Sequence, residues 1–376
     1  MLKDEEGSPS ENFPERYIRD RSDSALHFRT KLPVGILGAT GSVGQRLIQL
    51  LDKHPWFDLT CVAASDKSKG KTYKDAVNWN LPTRIPEEIA KLVLSPCEPN
   101  LPCKIVFSAL ASDVAGKIEE EFAKKGYVVI SMAKNHRMQS DVPLLIPEIN
   151  ADHLELIKKQ KFSKEGMIIT KPNCAVVGLA LALRPLALEF GIEAVNVVTM
   201  QSISGAGYPG VPSLDLLDNI IPYIEGEEEK IETETQKVLG TYKEDGVEPY
   251  SMKISSSCNR VPVTEGHLEV VSVKLKEKAT KEQVIRAWRE FYPPVQDLKL
   301  PTSPANILLY FDEVDLPQPK RQRDLEKGMA VSIGRLRPCP ILDYKFVLLS
   351  HNTIRGAAGG AILIAELLVK KGYVFW

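Results

Sequence analysis

Leu32-Pro33-Val34-Gly35-Ile36-Leu37-Gly38-Ala39-Thr40-Gly41-Ser42-Val43-Gly44 is the stretch on which the fold turns. The apolar run from Leu32 to Leu37 is short enough for a buried strand. Gln45 to Lys53 carries a helical pattern, and the glycines at 38, 41 and 44 lie between. Glycine there permits a tight turn and a close approach of backbone to a pyrophosphate, which would rest on the helix N-terminus. The spacing is G-x-x-G-x-x-G, not G-x-G-x-x-G. A βα turn that serves only packing would use similar residues, but a strand before and a helix after favour dinucleotide binding.

Further along, Leu59 to Ala64, Ile105 to Leu110 and Tyr127 to Ile130 each read as strands buried on both faces. Helical stretches such as Asp113 to Lys125 separate some of them. Such alternation predicts an α/β Rossmann-type domain with a parallel sheet. Beyond residue 172 the texture changes. Ala194 to Ile203, His267 to Leu275, Asn306 to Phe311, Met329 to Arg335 and Tyr344 to Leu349 are strand-like, while Ser213 to Ile221, Glu227 to Leu239 and Gly359 to Lys371 are helical. This predicts an α+β domain with a mixed, largely antiparallel sheet. A length of 376 residues suits two or three domains at about 150 residues each, and the change of texture favours two. The expected division is a flexible extension over 1–30, a nucleotide-binding domain over 31–172, and a second domain over 173–351.

Composition narrows the function. A net charge of −1 supplies no general field for nucleic acid or an anionic membrane, and no apolar run is long enough to span a bilayer. The six cysteines are scattered without a CxxC pair, which argues against disulfides or a metal site and for a reducing cytoplasm. The polar first thirty residues contain no signal-peptide core.

One of those cysteines has chemistry written around it. In Lys171-Pro172-Asn173-Cys174-Ala175, Pro172 keeps the residue before it extended and Asn173 suits a helix N-cap. Cys174 then falls in the first turn, where the helix dipole favours a thiolate. A lone cysteine is more commonly a small buried apolar residue, so its partners decide. His267, in Asn259-Arg260-Val261-Pro262-Val263-Thr264-Glu265-Gly266-His267, can handle a proton near neutral pH, and Arg260 can grip a carboxylate through two parallel hydrogen bonds. Gln201 opens a Ser/Gly-rich loop containing Ser204 and Gly205, and Asn352 precedes the small residues Gly356 to Gly360. After the second predicted strand, Ser65-Asp66-Lys67-Ser68 offers lysine and serine, which favours the 2′-phosphate of NADP; Asp66 dissents.

The ordered set Gly38-Ala39-Thr40-Gly41, Pro172-Asn173-Cys174, Gln201, Asn259-Arg260…Gly266-His267 and Asn352-Thr353…Gly356-Ala357 resembles the aspartate-semialdehyde dehydrogenase family, in its archaeal/fungal-type branch, from about Pro33 to the C-terminus. The resemblance implies NADPH-dependent reductive dephosphorylation of L-β-aspartyl phosphate to L-aspartate 4-semialdehyde. That reaction serves biosynthesis of threonine, methionine, isoleucine and, by some routes, lysine. It implies Cys174 as the nucleophile that carries the acyl thioester, His267 as acid/base, and Gln201 as orienting residue, with Asn173 beside them. Arg260 would take the substrate α-carboxylate and Glu228 its ammonium; Lys230 and Arg137 would take phosphate, with Asn135 close by. The cofactor side would comprise Gly38, Ala39, Thr40, Gly41, Ser42, Val43, Ser65, Lys67, Ser68, Ser108, Ser204, Gly205 and Asn352. Lys67 stands where relatives commonly have arginine. The resemblance implies a homodimer or homotetramer and returns 352–376 to the nucleotide domain. No metal is expected.

Rival readings are malonyl-CoA reductase or N-acetyl-glutamyl-phosphate reductase on the same scaffold, whose substrates have no free ammonium for Glu228 to pair. A non-catalytic cofactor-binding scaffold is a further alternative, but it would need neither Cys174 nor His267.

Overall fold

The computed structural model describes residues 31–65, 68–162 and 165–374, together with the backbone of two short strands, Tyr17–Arg19 (β1) and Leu26–Phe28 (β2), which pair antiparallel. The rest of 1–30 lies outside the described residues, as do Asp66 and the expected cofactor residue Lys67.

The first sheet contains β3 (Leu32–Leu37), β4 (Phe57–Ala64), β5 (Ser95–Pro96), β6 (Ile105–Ser108), β7 (Val128–Ser131) and β8 (Met167–Thr170). Their order is β5-β4-β3-β6-β7-β8 and every pair is parallel. Every residue of β6, β7 and β8 is buried, which is why these strands read as unbroken apolar runs. The main helices are α1 (Ser42–Leu51), α2 (Ser112–Lys124), α3 (Cys174–Glu189), α4 (Glu227–Leu239), α5 (Lys281–Arg289) and α6 (Gly359–Lys370). On one face of the sheet, Val34, Ile36 and Phe107 pack with Leu47 of α1 and with Ile362 and Leu363 of α6. On the other, Val106, Val129 and Ile168 pack with Phe122 of α2. The C-terminal helix therefore shares a core with the first sheet.

The glycine turn is built for close contact. Gly38 has φ +77°, and a Cβ there would sit 2.6 Å from the Ala109 carbonyl oxygen. A Cβ on Gly44 would lie 2.4 Å from the Gly38 carbonyl oxygen. Gly44→Ala is expected to destabilise the protein by about 1–3 kcal/mol through overpacking. At Gly41, with φ −75°, the nearest atom to an added Cβ is 3.5 Å away, and Gly41→Ala should leave the urea midpoint unchanged. Equal midpoints for the two variants would refute the close packing of α1 on the turn.

The second sheet holds β9 (Ile192–Gln201), β12 (Lys253–Arg260), β13 (His267–Leu275), β14 (Leu308–Phe311), β15 (Val331–Pro338) and β16 (Tyr344–Ser350); β10 (Thr241–Lys243) and β11 (Gly246–Glu248) form a separate hairpin. The order is β12-β9-β13-β16-β15-β14, with β12–β9 and β14–β15 parallel and the other pairs antiparallel. In β13, His267, Glu269, Val271, Val273 and Leu275 are buried and the residues between them less so, as its alternation predicts. The buried helix α3 packs its Leu179 and Leu183 into the core beneath this sheet.

The helix expected over 213–221 is one turn, Ser213–Leu216. Leu217 turns extended and Asp218 takes φ +58°, so Ile221 pairs instead with Arg260, accepting its N–H at 2.8 Å and donating to its carbonyl at 3.1 Å. The lost helix becomes a clamp on the backbone of Arg260. Leu214, Leu217, Ile220 and Tyr223 are left exposed along this stretch.

Candidate active site

Several chain ends converge. Cys174 is the first residue of α3, Gln201 the last of β9, Arg260 the last of β12 and His267 the first of β13. Arg260 and Gln201 are register partners, which fixes their two side chains side by side.

Asn173 caps α3, its Oδ1 accepting the Ala175 N–H at 2.8 Å. The Cys174 sulfur lies 3.2 Å from His267 Nε2. On the far side of the ring, Nδ1 accepts the Ser202 backbone N–H at 3.1 Å. Because Nδ1 is an acceptor, the proton of the neutral ring sits on Nε2 and faces the sulfur. Burial, with Arg260 nearby, pushes the His267 imidazolium down to about 3, against the pull of Glu227. His267 is therefore neutral at physiological pH and presents a donor. The Cys174 thiol is pushed up to about 11, first by burial and then by Glu227; Lys171, Arg137 and Arg260 pull the other way. Desolvation outweighs the helix dipole that the sequence invokes.

Arg260 is buried and its Nη1 donates to the Ser202 carbonyl at 2.7 Å. A Cβ on Gly205 would stand 2.8 Å from that nitrogen and 3.1 Å from His267 Cε1, so the Ser/Gly loop passes where only glycine fits. Asn352 ties this loop to the histidine segment. Its Nδ2 donates to Ser204 Oγ at 2.8 Å and its Oδ1 accepts the Gly266 N–H at 2.9 Å.

The carboxylate that faces the sulfur is Glu227, which the sequence reading missed, and not Glu228. Glu227 Oε1 accepts from Asn173 Nδ2 at 2.8 Å and Gln201 Nε2 at 3.1 Å, and its Oε2 pairs with Lys230 at 3.0 Å. Burial opposes ionisation of Glu227, but Lys230 and these hydrogen bonds outweigh it and hold the group below the usual carboxylate range. Glu228, one residue on and about 100° further round α4, turns away and accepts the Cys258 N–H at 3.0 Å. Helical phase could have found Glu227. It shares the buried stripe of Ile231, Glu234 and Val238 at i, i+4, i+7 and i+11.

Arg137 reaches the same helix, its Nη1 pairing with Glu234 at 2.8 Å, while Glu234 Oε2 accepts the Asn173 N–H at 2.6 Å. Asn135 is exposed and donates to the Ser112 carbonyl at the start of α2, so its contacts lie with the first domain rather than the Cys174 cluster.

Around the glycine turn, Ala39, Thr40, Ser42 and Val43 lead into α1, Ser65 and Ser68 follow β4, and buried Ser108 ends β6. Across the seam, Arg46 of α1 pairs with Glu265 at 2.5 Å, and Glu265 accepts from Thr353 at 2.8 Å. Among the described residues no group of three or more His, Cys, Asp or Glu could hold a metal, and no helix is long and apolar enough to cross a membrane.

A parallel nucleotide-type domain joined to a mixed-sheet domain at a thiol–imidazole pair defines a two-domain dehydrogenase. Residues 33–157 match the family model for the semialdehyde dehydrogenase NAD binding domain, and residues 183–355 that for the semialdehyde dehydrogenase dimerisation domain. The chain is 46% identical to the aspartate-semialdehyde dehydrogenase of Archaeoglobus fulgidus over 90% of its own length and 98% of that protein, and 44% identical to that of Saccharomyces cerevisiae over 90% and 98%. It also superposes on a crystal structure of aspartate-semialdehyde dehydrogenase with NADP from Candida albicans, with TM-score 0.85, 43% identity, and coverage of 91% of this chain and 100% of that one. The chain belongs to the aspartate-semialdehyde dehydrogenase family.

Proposed function

We propose that the protein converts L-β-aspartyl phosphate to L-aspartate 4-semialdehyde with NADPH, through a thioester on Cys174, as a cytoplasmic enzyme of amino-acid biosynthesis. The observation that carries this reading is the 3.2 Å contact between Cys174 Sγ and His267 Nε2, with Arg260 and Glu227 beside it. Arg260 offers a fork for the α-carboxylate and Glu227 a charge for the ammonium. An acyl-CoA or N-acetylated substrate would leave Glu227 buried and without that cation.

The turn fits a dinucleotide. Helix α1 has Gly41 as its N-cap, with no capping side chain and no acidic residue in its first turn, so its amides meet no competing carboxylate. Gly38 to Val43 would hold the pyrophosphate, Ser65 and Ser68 the ribose side, and Ser204, Gly205 and Asn352 the nicotinamide end. The chemistry asked of NADPH, when bound, is supply of hydride to the thioester carbon.

The chain's own residues do the rest. Cys174, once its thiol proton is lost to solvent, attacks the acyl carbon as the thiolate; the acyl C–O bond breaks, and Arg137 and Lys230 offset charge on the departing phosphate. His267 Nε2–H donates to the oxyanion that develops at that carbon. Collapse then expels the Cys174 thiolate and frees the aldehyde. Gln201 and Asn173 hold Glu227 in place meanwhile. Residues 31–172 with 352–376 act as the nucleotide domain and 173–351 as the catalytic domain. The exposed apolar run Leu214, Leu217, Ile220 and Tyr223 supports assembly into a homodimer or a tetramer of dimers.

The test runs the reaction backward. Purified protein with aspartate semialdehyde and inorganic phosphate should reduce NADP faster than NAD, and not without phosphate. Turnover of malonyl-CoA or N-acetyl-glutamyl phosphate in place of the aspartyl substrate would overturn the substrate assignment.

A further inference from the structure

Tyr208 stands in the Ser/Gly loop that follows β9, is 59% exposed, and has no part in the reaction as described. Its phenol nevertheless reaches the other domain, where its oxygen accepts from Asn78 Nδ2 at 2.6 Å. Asn78 belongs to the surroundings of the glycine turn. It follows the short helix Tyr73–Ala76, whose Tyr73 hydroxyl donates to the Ala39 carbonyl at 3.0 Å. Buried Gln45 of α1 then locks Asn78 to that turn. Its Nε2 donates to the Asn78 carbonyl at 2.9 Å and to the Thr40 carbonyl at 3.0 Å, while its Oε1 accepts the Asn80 N–H at 2.8 Å.

The base of the loop is fixed at the catalytic end. Ile203 N–H donates to the Val263 carbonyl at 2.8 Å and Ser204 N–H to the Thr264 carbonyl at 3.2 Å, and Gly205 passes against His267. The tip is free to turn. Gly207 at φ +73° and Gly210 at φ +84° flank Tyr208 and Pro209 in backbone that other residues rarely adopt. A Cβ on Gly207 would meet nothing within 4 Å, so conformation and not packing calls for glycine there. The loop is thus a strap tied to the His267 segment at its base and to the glycine-turn domain at its tip. A dinucleotide that reaches from the glycine turn to Cys174 spans the same two points.

We propose that Asn78 and Tyr208 are a pair of positioning residues that latch this strap across the cofactor cleft, and that their hydrogen bond must part for the dinucleotide to leave. The bond joins two protein groups, so it acts on the rates of entry and exit more than on affinity. Swinging about Gly207 and Gly210 opens the cleft without disturbing the anchors at Ile203 and Ser204, which keeps the base of the strap on the His267 segment throughout.

The proposal rests on the cofactor lying in this cleft, as in the function proposed above. Tyr208→Phe removes only the phenolic oxygen. Asn78→Ala removes only the side-chain amide and leaves the carbonyl that Gln45 holds. Both positions are exposed, so both variants keep the fold. NADPH dissociation is followed by its own fluorescence after mixing with excess NADP. Loss of one hydrogen bond should quicken it about 2- to 10-fold in either variant and leave KM for phosphate within about twofold of wild type. The double variant should dissociate no faster than the faster single one, because the bond can be lost only once. Hydrogen exchange of the peptide that spans 203–210, measured without cofactor, should also quicken in each variant. Dissociation at the wild-type rate in either single variant, or effects that multiply in the double variant, overturns the latch. Faster exchange of the strap in a protein that binds no NADPH even as wild type would instead overturn the proposed cofactor placement and leave the Asn78–Tyr208 closure standing.

Discussion

Replacing Cys174 with Ser lowers kcat/KM for phosphate-dependent NADP reduction by about 10⁴-fold or more, the scale seen when a nucleophile is removed from a covalent mechanism. The exchange keeps the side-chain volume and the contact with His267 Nε2, 3.2 Å from the sulfur. Burial already pushes the thiol up to about 11, and an alcohol in the same place starts from a far weaker acid. The nearby cationic charges that assist a thiolate cannot close that gap. Thermal melting should match wild type, since Asn173 still caps α3 through Ala175 N–H. A serine variant within tenfold of wild-type turnover would remove the thioester from the mechanism.

Glu227→Gln gives the second large effect, and a double readout. Cutting a buried, hydrogen-bonded charge from its partners costs about 2–4 kcal/mol, or about 30- to 1,000-fold in kcat/KM. Lys230 loses its ion pair and the substrate ammonium its counter-charge. The same change helps the sulfur. Glu227 raises the Cys174 pKa, so removing its charge lowers that pKa and more thiolate is present at pH 7. Turnover therefore falls while alkylation of Cys174 by iodoacetamide quickens, a pairing that simple misfolding does not produce. Glu228→Gln is the contrast. It weakens a bond to Cys258 N–H, costs about 1 kcal/mol of stability, and leaves turnover within about threefold. Equal activity loss in both variants, with no faster alkylation in either, would return the role to an undirected acidic helix face.

The resemblance to known dehydrogenases was legible in short, ordered motifs, and those motifs succeed because their physics is local. A glycine turn between strand and helix, and an Asn cap placing Cys174 at N1, depend on neighbours a few residues away. The alternation of β13 likewise depends only on a pleat of period two. The helix expected at 213–221 failed for the opposite reason: its apolar residues satisfied a helical pattern, but Ile221 found a better partner in the backbone of Arg260, distant in sequence. Glu228 was placed by matching a motif, whereas the phase of α4 is set by which stripe buries Ile231 and Val238 against the core.

The sequence by itself determined that this chain has a nucleotide-type first domain and a mixed-sheet second domain, and that Cys174, Gln201, Arg260 and His267 are the residues to watch. Tertiary structure alone decided the chemistry among them. It turned Glu227 rather than Glu228 onto Asn173 and Gln201, and set Ser202 N–H on His267 Nδ1 so that the ring presents a donor. Proton affinity and hydrogen-bond direction are properties of the surrounding field and burial. That field is summed over residues brought together from α3, α4 and the ends of β9, β12 and β13, and no single segment of the chain contains it.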